Sequence, residues 1–234
     1  MRFPTPLVPA RLIRRYKRFL ADAMLEDGRE VTAHCPNSGA MLGLDAEGLR
    51  IWLEPNDDPK KKLKYGWRLV DLPGGHMAGI DTGVPNRVVK EALLARRIPA
   101  LADYTNIRPE VAYGDNSRVD FLATEPGQPD AYVEVKNVHL RRSGDLAEFP
   151  DCVTARGAKH LGELARVADA GHRAVMLYLI QRTDCAALAL AGDLDPGYKA
   201  AAQKAKARGV EMIAHATTIT TEGVWLADPL PVSI

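Results

Sequence analysis

The sequence predicts an α/β protein in two parts: a small, basic N-terminal β-barrel of the OB type over residues 1–80, then an α/β body with a mixed central sheet over residues 81–234. Three observations carry this. Short strand-like runs separated by turn residues fill residues 11–70, a cluster of Pro and Gly interrupts the chain at 73–79, and helix-period and strand-period segments alternate after it. With 234 residues, 46% hydrophobic and 26% charged, the chain can bury a full-sized core and is unlike a disordered one.

Each element has its own signal. RLIRRYKRFLADAML, EDGREVTAHC, GLRIWLEP and KLKYGWRLVDL read as strands, with Arg15, Lys17 and Phe19 alternating against Tyr16, Arg18 and Leu20. Asp27-Gly28 marks a turn. Strands at this spacing suit a small barrel whose face and loops often hold oligonucleotides. Pro73-Gly74-Gly75-His76-Met77-Ala78-Gly79 matches no complete phosphate-binding motif and reads as a linker or turn. In VPNRVVKEALLARRI, Val84, Val88, Ala92 and Leu93 recur at helical spacing, and Pro85 sits in the first turn, where it is tolerated. RPEVAYG, SRVDFLAT and AYVEVKNV follow as strands, TARGAKHLGELARVADA as a helix, RAVMLYLIQR as an apolar strand and YKAAAQKAKARG as a helix. VEMIAHAT and GVWLAD close the sheet. Interleaved strands and helices call for a sheet covered on both faces.

Net charge is +1, but residues 1–75 carry 13 Lys and Arg against 10 Asp and Glu, and the remainder 18 against 20. The excess gathers in two clusters, Arg11, Arg14, Arg15, Lys17, Arg18 and Lys60, Lys61, Lys62, Lys64, of the kind a polyanion would meet. No run approaches the ~18–20 apolar residues of a membrane span, and the N-terminus lacks the apolar core of a signal peptide, so a cytoplasmic protein without a membrane partner is expected. Cys35, Cys152 and Cys185 are far apart, without CxxC spacing, and read as buried or half-buried free thiols.

The chemistry concentrates in one stretch. Strand alternation puts Glu134 and Lys136 on one face while Val133 and Val135 fill the other. Asp120 sits between Val119 and Phe121 on the preceding strand, 14 residues before Glu134, and the intervening turn TEPGQPD allows a hairpin to bring them together. Two carboxylates in a water-poor place repel each other unless a cation joins them. Mg2+, or Mn2+, suits such a site, with Lys136 placed to orient water, take a proton or stabilise charge on phosphorus. A cross-strand ion pair at a sheet edge is the alternative for the same spacing.

The strings MRFPTPL, RLIRRYKRFLAD, VTAHCPNSGAM, SRVDFL, YVEVKNVHL, FPDCVTARGAKHLGEL and LYLIQR closely resemble the sugar fermentation stimulation protein family from end to end. That resemblance implies an OB-type domain followed by a restriction-endonuclease-like PD-(D/E)XK domain, an α/β sandwich. It also implies DNA binding linked to regulation of sugar (maltose) catabolic genes. By motif, Asp120 takes the aspartate position, Glu134 and Lys136 the ExK pair, and Val135 lends its carbonyl to the metal; Val119 replaces the proline that often precedes the aspartate. Glu91, on the helix before the sheet, is a further candidate metal ligand, and Gln181 and Glu110 are candidate neighbours. Arg156, Lys159 and His160, within about one helical turn, are candidate phosphate contacts beside Arg14, Arg15, Lys17, Arg18, Lys60, Lys61 and Lys62. His34 reads as a buried, hydrogen-bonded histidine. The function expected is a Mg-dependent phosphodiesterase acting on DNA, with RNA possible. The alternative is a non-catalytic, largely sequence-independent DNA-binding regulator, and no helix-turn-helix stands out. Monomer and homodimer both stay open.

Overall fold

The computed structural model describes residues 1–114 and 117–234. Its first part holds β1 (Val8–Tyr16), β2 (Leu20–Leu25), β3 (Glu30–His34), β4 (Arg50–Pro55), β5 (Tyr65–Leu72) and β6 (His76–Gly79). The order is β3-β2-β1-β4-β5-β6, and a β3–β5 pairing, Ala33 with Tyr65 and His34 with Gly66, closes five of the strands into a barrel. Alternation fills it: Ala10 and Leu12, Ala21 and Ala23, Ile51 and Leu53 face inward around Trp67.

Two expectations change here. The alternating run from Arg15 to Leu20 is not one strand, because the chain reverses through Lys17 (φ 49°) and Arg18 (φ 63°) so that Tyr16 pairs with Leu20. Lys and Arg carry no turn signal, and only closure of the barrel demands the reversal there. The segment 73–79 is not a linker either. Pro73–Gly75 is a single 3-10 turn, and β6 pairs with β5 from Leu72↔His76 to Leu69↔Gly79. Gly79 is required by contact, since a Cβ on it would lie 2.5 Å from Gln181 Oε1.

The second part comprises α1 (Val84–Leu94), β7 (Asn106–Tyr113), β8 (Ser117–Thr124), β9 (Ala131–Val138), β10 (Leu146–Phe149), α2 (Ala155–Asp169), β11 (Arg173–Ile180), β12 (Ala187–Leu190), α3 (Pro196–Ala207), β13 (Glu211–Thr220), β14 (Gly223–Leu230) and β15 (Val232–Ser233). The central sheet runs β14-β13-β11-β9-β8-β7 and is mixed: β11 lies parallel to β9 and β13, the other pairs antiparallel. One face, with Val133, Val135, Val175 and Leu177, packs on Val88, Val89 and Leu93 of α1. The other, with Met176, Tyr178 and Ile180, packs on Leu161 and Leu164 of α2 and Tyr198 and Ala202 of α3. Short β10, β12 and β15 form a small parallel sheet that periodicity does not announce.

Barrel and sheet are tied by buried polar groups. Gln181, wholly buried, donates from Nε2 to Asn137 Oδ1 (2.6 Å) and to the Asp81 carbonyl (3.1 Å). Asn37 donates to the Ile80 carbonyl at 2.9 Å, and Arg68 joins Glu54 and Asp81 at 2.7 and 2.6 Å. Among the described residues no helix is long and apolar enough to cross a membrane.

Candidate active site

The antiparallel ladder between β8 and β9 runs Ala123↔Ala131, Leu122↔Tyr132, Phe121↔Val133 and stops. The next register position would pair Asp120 with Glu134. Instead the strands part, and Asp120 Oδ2 accepts the Val135 backbone N–H at 2.7 Å. Its other oxygen, Oδ1, accepts from Asn86 Nδ2 at 2.7 Å, on the first turn of α1. Burial and then the charge of Glu134 push the Asp120 carboxyl above the usual aspartate range.

Glu134 projects from the sheet face that meets α2. It is 3% exposed. Lys136 Nζ donates to Glu134 Oε1 at 2.7 Å, and His160 of α2 bonds to the same oxygen through Nδ1. Lys136 Nζ stands 3.5 Å from His160 Nδ1, and Arg156 Nε reaches His160 Nε2 at 3.3 Å. Burial alone would raise the Glu134 carboxyl, but the His160 hydrogen bond and the Lys136 charge outweigh it and hold Glu134 below its usual value. The second oxygen, Oε2, is buried and has no hydrogen-bond partner among the described residues. The outcome is one carboxylate held ionised, with half of its hydrogen-bonding capacity unfilled, beside a second that is partly desolvated. A cavity of about 420 Å³ opens beside Asp120, lined by Glu110, Ser117, Arg118, Asp120, Arg156, Lys159 and His160.

Asp120, Glu134 and Lys136 thus converge, and His160 joins them in a role its spacing did not suggest. Expected at a phosphate, it is 6% exposed and bonded to Glu134, because the α2 face bearing Gly157, Leu161 and Leu164 is the buried one. That apolar periodicity was the available signal. Asn86 had none, since its contact with Asp120 spans 34 residues of chain.

Glu91 does not join the site. Its carboxylate pairs with the Met1 amino group at 2.6 Å, beside Trp225 and Leu226, because five residues along a helix from Asn86 face another direction. Gln181 serves the barrel–sheet tie rather than the carboxylates. Glu110 lines the cavity with Asp120 and has a left-handed backbone (φ 54°), within a β7 register whose pairs are Pro109↔Phe121 and Val111↔Val119.

The basic residues divide. Arg14 is paired with Asp22 at 2.8 Å, and Arg15 donates to the carbonyls of Asn37 and Gly39 at 2.9 and 2.8 Å, so Arg15 is structural. Lys17, Arg18, Lys60, Lys61 and Lys62 are exposed on turns, and Arg156 and Lys159 are exposed at the cavity. His34 is exposed rather than buried, its ring stacked on Phe19. All three cysteines are free, but Cys152 is exposed.

Residues 13–80 match the model of the SfsA N-terminal OB domain, and residues 83–223 that of the sugar fermentation stimulation protein RE domain. The chain belongs to the sugar fermentation stimulation protein family. Members similar to it include the sugar fermentation stimulation protein homologs of Dinoroseobacter shibae, 72% identical over 99% of this chain and 96% of that protein, and of Jannaschia sp. (strain CCS1), 69% identical over 99% and 97%. Within the family, the solved structure of Pyrococcus furiosus SfsA in complex with Ca2+ superposes with a TM-score of 0.88 at 26% identity, covering 100% of this chain and 98% of that one. The family fold is therefore an OB barrel followed by a restriction-endonuclease-like α/β sandwich.

Proposed function

We propose that this protein is a divalent-cation-dependent phosphodiesterase acting on nucleic acid, DNA foremost, with Asp120, Glu134 and Lys136 as its catalytic set. The observation that carries the reading is Glu134 Oε2, a buried oxygen of an ionised carboxylate with no donor among the described residues, next to a second desolvated carboxylate. An acid so placed fits a cation. Asp120 and Glu134 would hold Mg2+ or Mn2+, hard ions that take few carboxylates and keep waters. The Pyrococcus furiosus relative is described in complex with Ca2+, an ion of the same ligand preference. When bound, such an ion supplies Lewis-acid polarisation of a phosphoryl oxygen and neutralises charge.

The chain's own residues do the rest. Asn86 and the Val135 N–H each hold one oxygen of Asp120 and so fix its carboxylate. His160 and Lys136 fix the Glu134 rotamer through Oε1 and leave Oε2 available. Lys136 brings an ammonium to the place where charge develops on phosphorus. Arg156 and Lys159, at the exposed start of α2, are set to meet the phosphate backbone.

One observation favours the non-catalytic DNA-binding regulator: among the described residues no three His, Cys, Asp or Glu side chains converge on a metal-sized position. Labelled single- and double-stranded DNA and RNA incubated with Mg2+, with Mn2+ and with chelator separate the readings. Cation-dependent cleavage supports the enzyme. Retarded but uncut nucleic acid under every condition supports the binder.

A further inference from the structure

The barrel carries a second feature that the carboxylate site does not use. Phe19, 49% exposed at the β1–β2 turn, lies against His34 at the end of β3, with ring centroids 6.5 Å apart and planes 18° from parallel. The two rings together present a flat face to solvent, the shape on which a planar base stacks. His34 also lines a groove of about 780 Å³ running over Tyr65 and Gly66 to Arg87 on α1. Gly66 pairs with His34 across the β3–β5 closure and adds no side chain, so the ring stands clear.

Charge follows the groove. The β4–β5 loop, residues 56–64, has four lysines against two aspartates. Lys61 and Lys62 line the groove and are exposed. Of the two acids that line the groove, Glu54 is matched by Arg68 at 2.7 Å, and Asp57 lies on the same loop as the four lysines. At the far end, Arg87 lines the groove while its neighbour Asn86 holds Asp120. The first turn of α1 is thus the wall between groove and carboxylate cavity.

We infer that this groove is a track for single-stranded nucleic acid, with unpaired bases stacking on the Phe19–His34 platform, phosphates meeting Lys61 and Lys62, and the strand passing α1 toward Asp120. A duplex hides its base faces in its own stack, so exposed rings add nothing to it beyond surface contact, whereas each unpaired base has a free π face. This inference rests on the nucleic-acid reading above and adds the strandedness of the substrate.

The test is fluorescence anisotropy in chelator with two probes, a labelled oligo(dT) of roughly 15 nucleotides, near the upper site size of one OB barrel, and a duplex of equal length. Wild type binds oligo(dT) more tightly. Phe19→Ala with His34→Ala weakens oligo(dT) on the order of tenfold or more, leaves the salt dependence and duplex affinity unchanged, and keeps the wild-type melting temperature. Phe19→Trp retains tight binding. Lys61→Ala with Lys62→Ala instead flattens the log–log salt slope by about 1.4, from roughly 0.7 per phosphate contact on a single strand. If the aromatic double variant binds oligo(dT) as wild type does, or loses both probes equally, the platform is not a base site and the inference falls while the parent reading stands. A wild type that binds only the duplex has the same consequence. A wild type that binds neither probe overturns the nucleic-acid reading itself.

Discussion

The motif Asn37-Ser38-Gly39 meets one acid from the second part of the chain. Asp151, after β10, accepts the Met41 N–H at 3.3 Å and stands 3.3 Å from His139 Nε2. A Cβ on Gly39 would come within 2.6 Å of its Oδ2. Burial pushes the Asp151 carboxyl up, but His139 and the Met41 N–H more than reverse this and hold it at about 2, against an ordinary 3.8. A folded-state value below the unfolded one means stability that is complete above pH 3.8 and disappears as pH falls through 2. The difference, at 1.36 kcal/mol per unit, amounts to about 2 kcal/mol. Asp151→Asn should therefore cost about 2 kcal/mol at pH 5, lowering Tm by roughly 4–8 °C for a chain of this length. The cost should vanish near pH 2. Calorimetric scans of both proteins between pH 2 and 7 measure it. A variant whose Tm parallels that of wild type at every pH would refute the assignment of acid stability to this contact. Gly39→Ala tests the same junction sterically and should destabilise at all pH values, since the displaced atom is a carboxylate rather than the end of a flexible chain.

Further expectations concern the carboxylate site. Glu134→Gln and Lys136→Ala should each still retard nucleic acid in a gel but fail to cut it; a cleavage time course beside a binding isotherm in Mg2+ checks this, and equal residual cleavage by all three proteins would place the activity elsewhere. Cation affinity should fall on acidification at a higher pH than an unperturbed aspartate implies, because Asp120 is pushed up and must lose its proton to bind; calorimetric Mg2+ titrations across pH 4–7 measure it, and a flat profile would count against Asp120 as ligand. Asn86→Ala should lower cation affinity about tenfold while leaving the fold intact, as loss of an orienting partner does, whereas Glu91→Ala should leave it unchanged.

Much of this molecule is local in origin. The period of two in Tyr132-Val133-Glu134-Val135-Lys136 is enough to place Glu134 and Lys136 on one strand face, and the 3.6 period of residues 84–94 and 155–169 determines α1 and α2 with their buried sides. The barrel's strands follow from turn residues and alternation, apart from the reversal at Lys17 and Arg18, where no residue type announces it. What only the tertiary structure decided are contacts whose partners lie far apart in the chain. Asn86 meets Asp120 and Glu91 meets Met1 because helix rotation, unlike helix existence, is set by packing on the sheet. His160 reaches Glu134 because parallel pairing of β9 with β11 sets the sheet face on which α2 lies. Arg15 and Arg18 look alike in sequence, yet one is held by backbone carbonyls and the other projects into water, since a charge cluster carries no record of which carbonyls the fold will bring to it. Periodicity depends on neighbours in the chain. Ligand geometry depends on neighbours in space, and these exist only after the barrel and the sheet have docked.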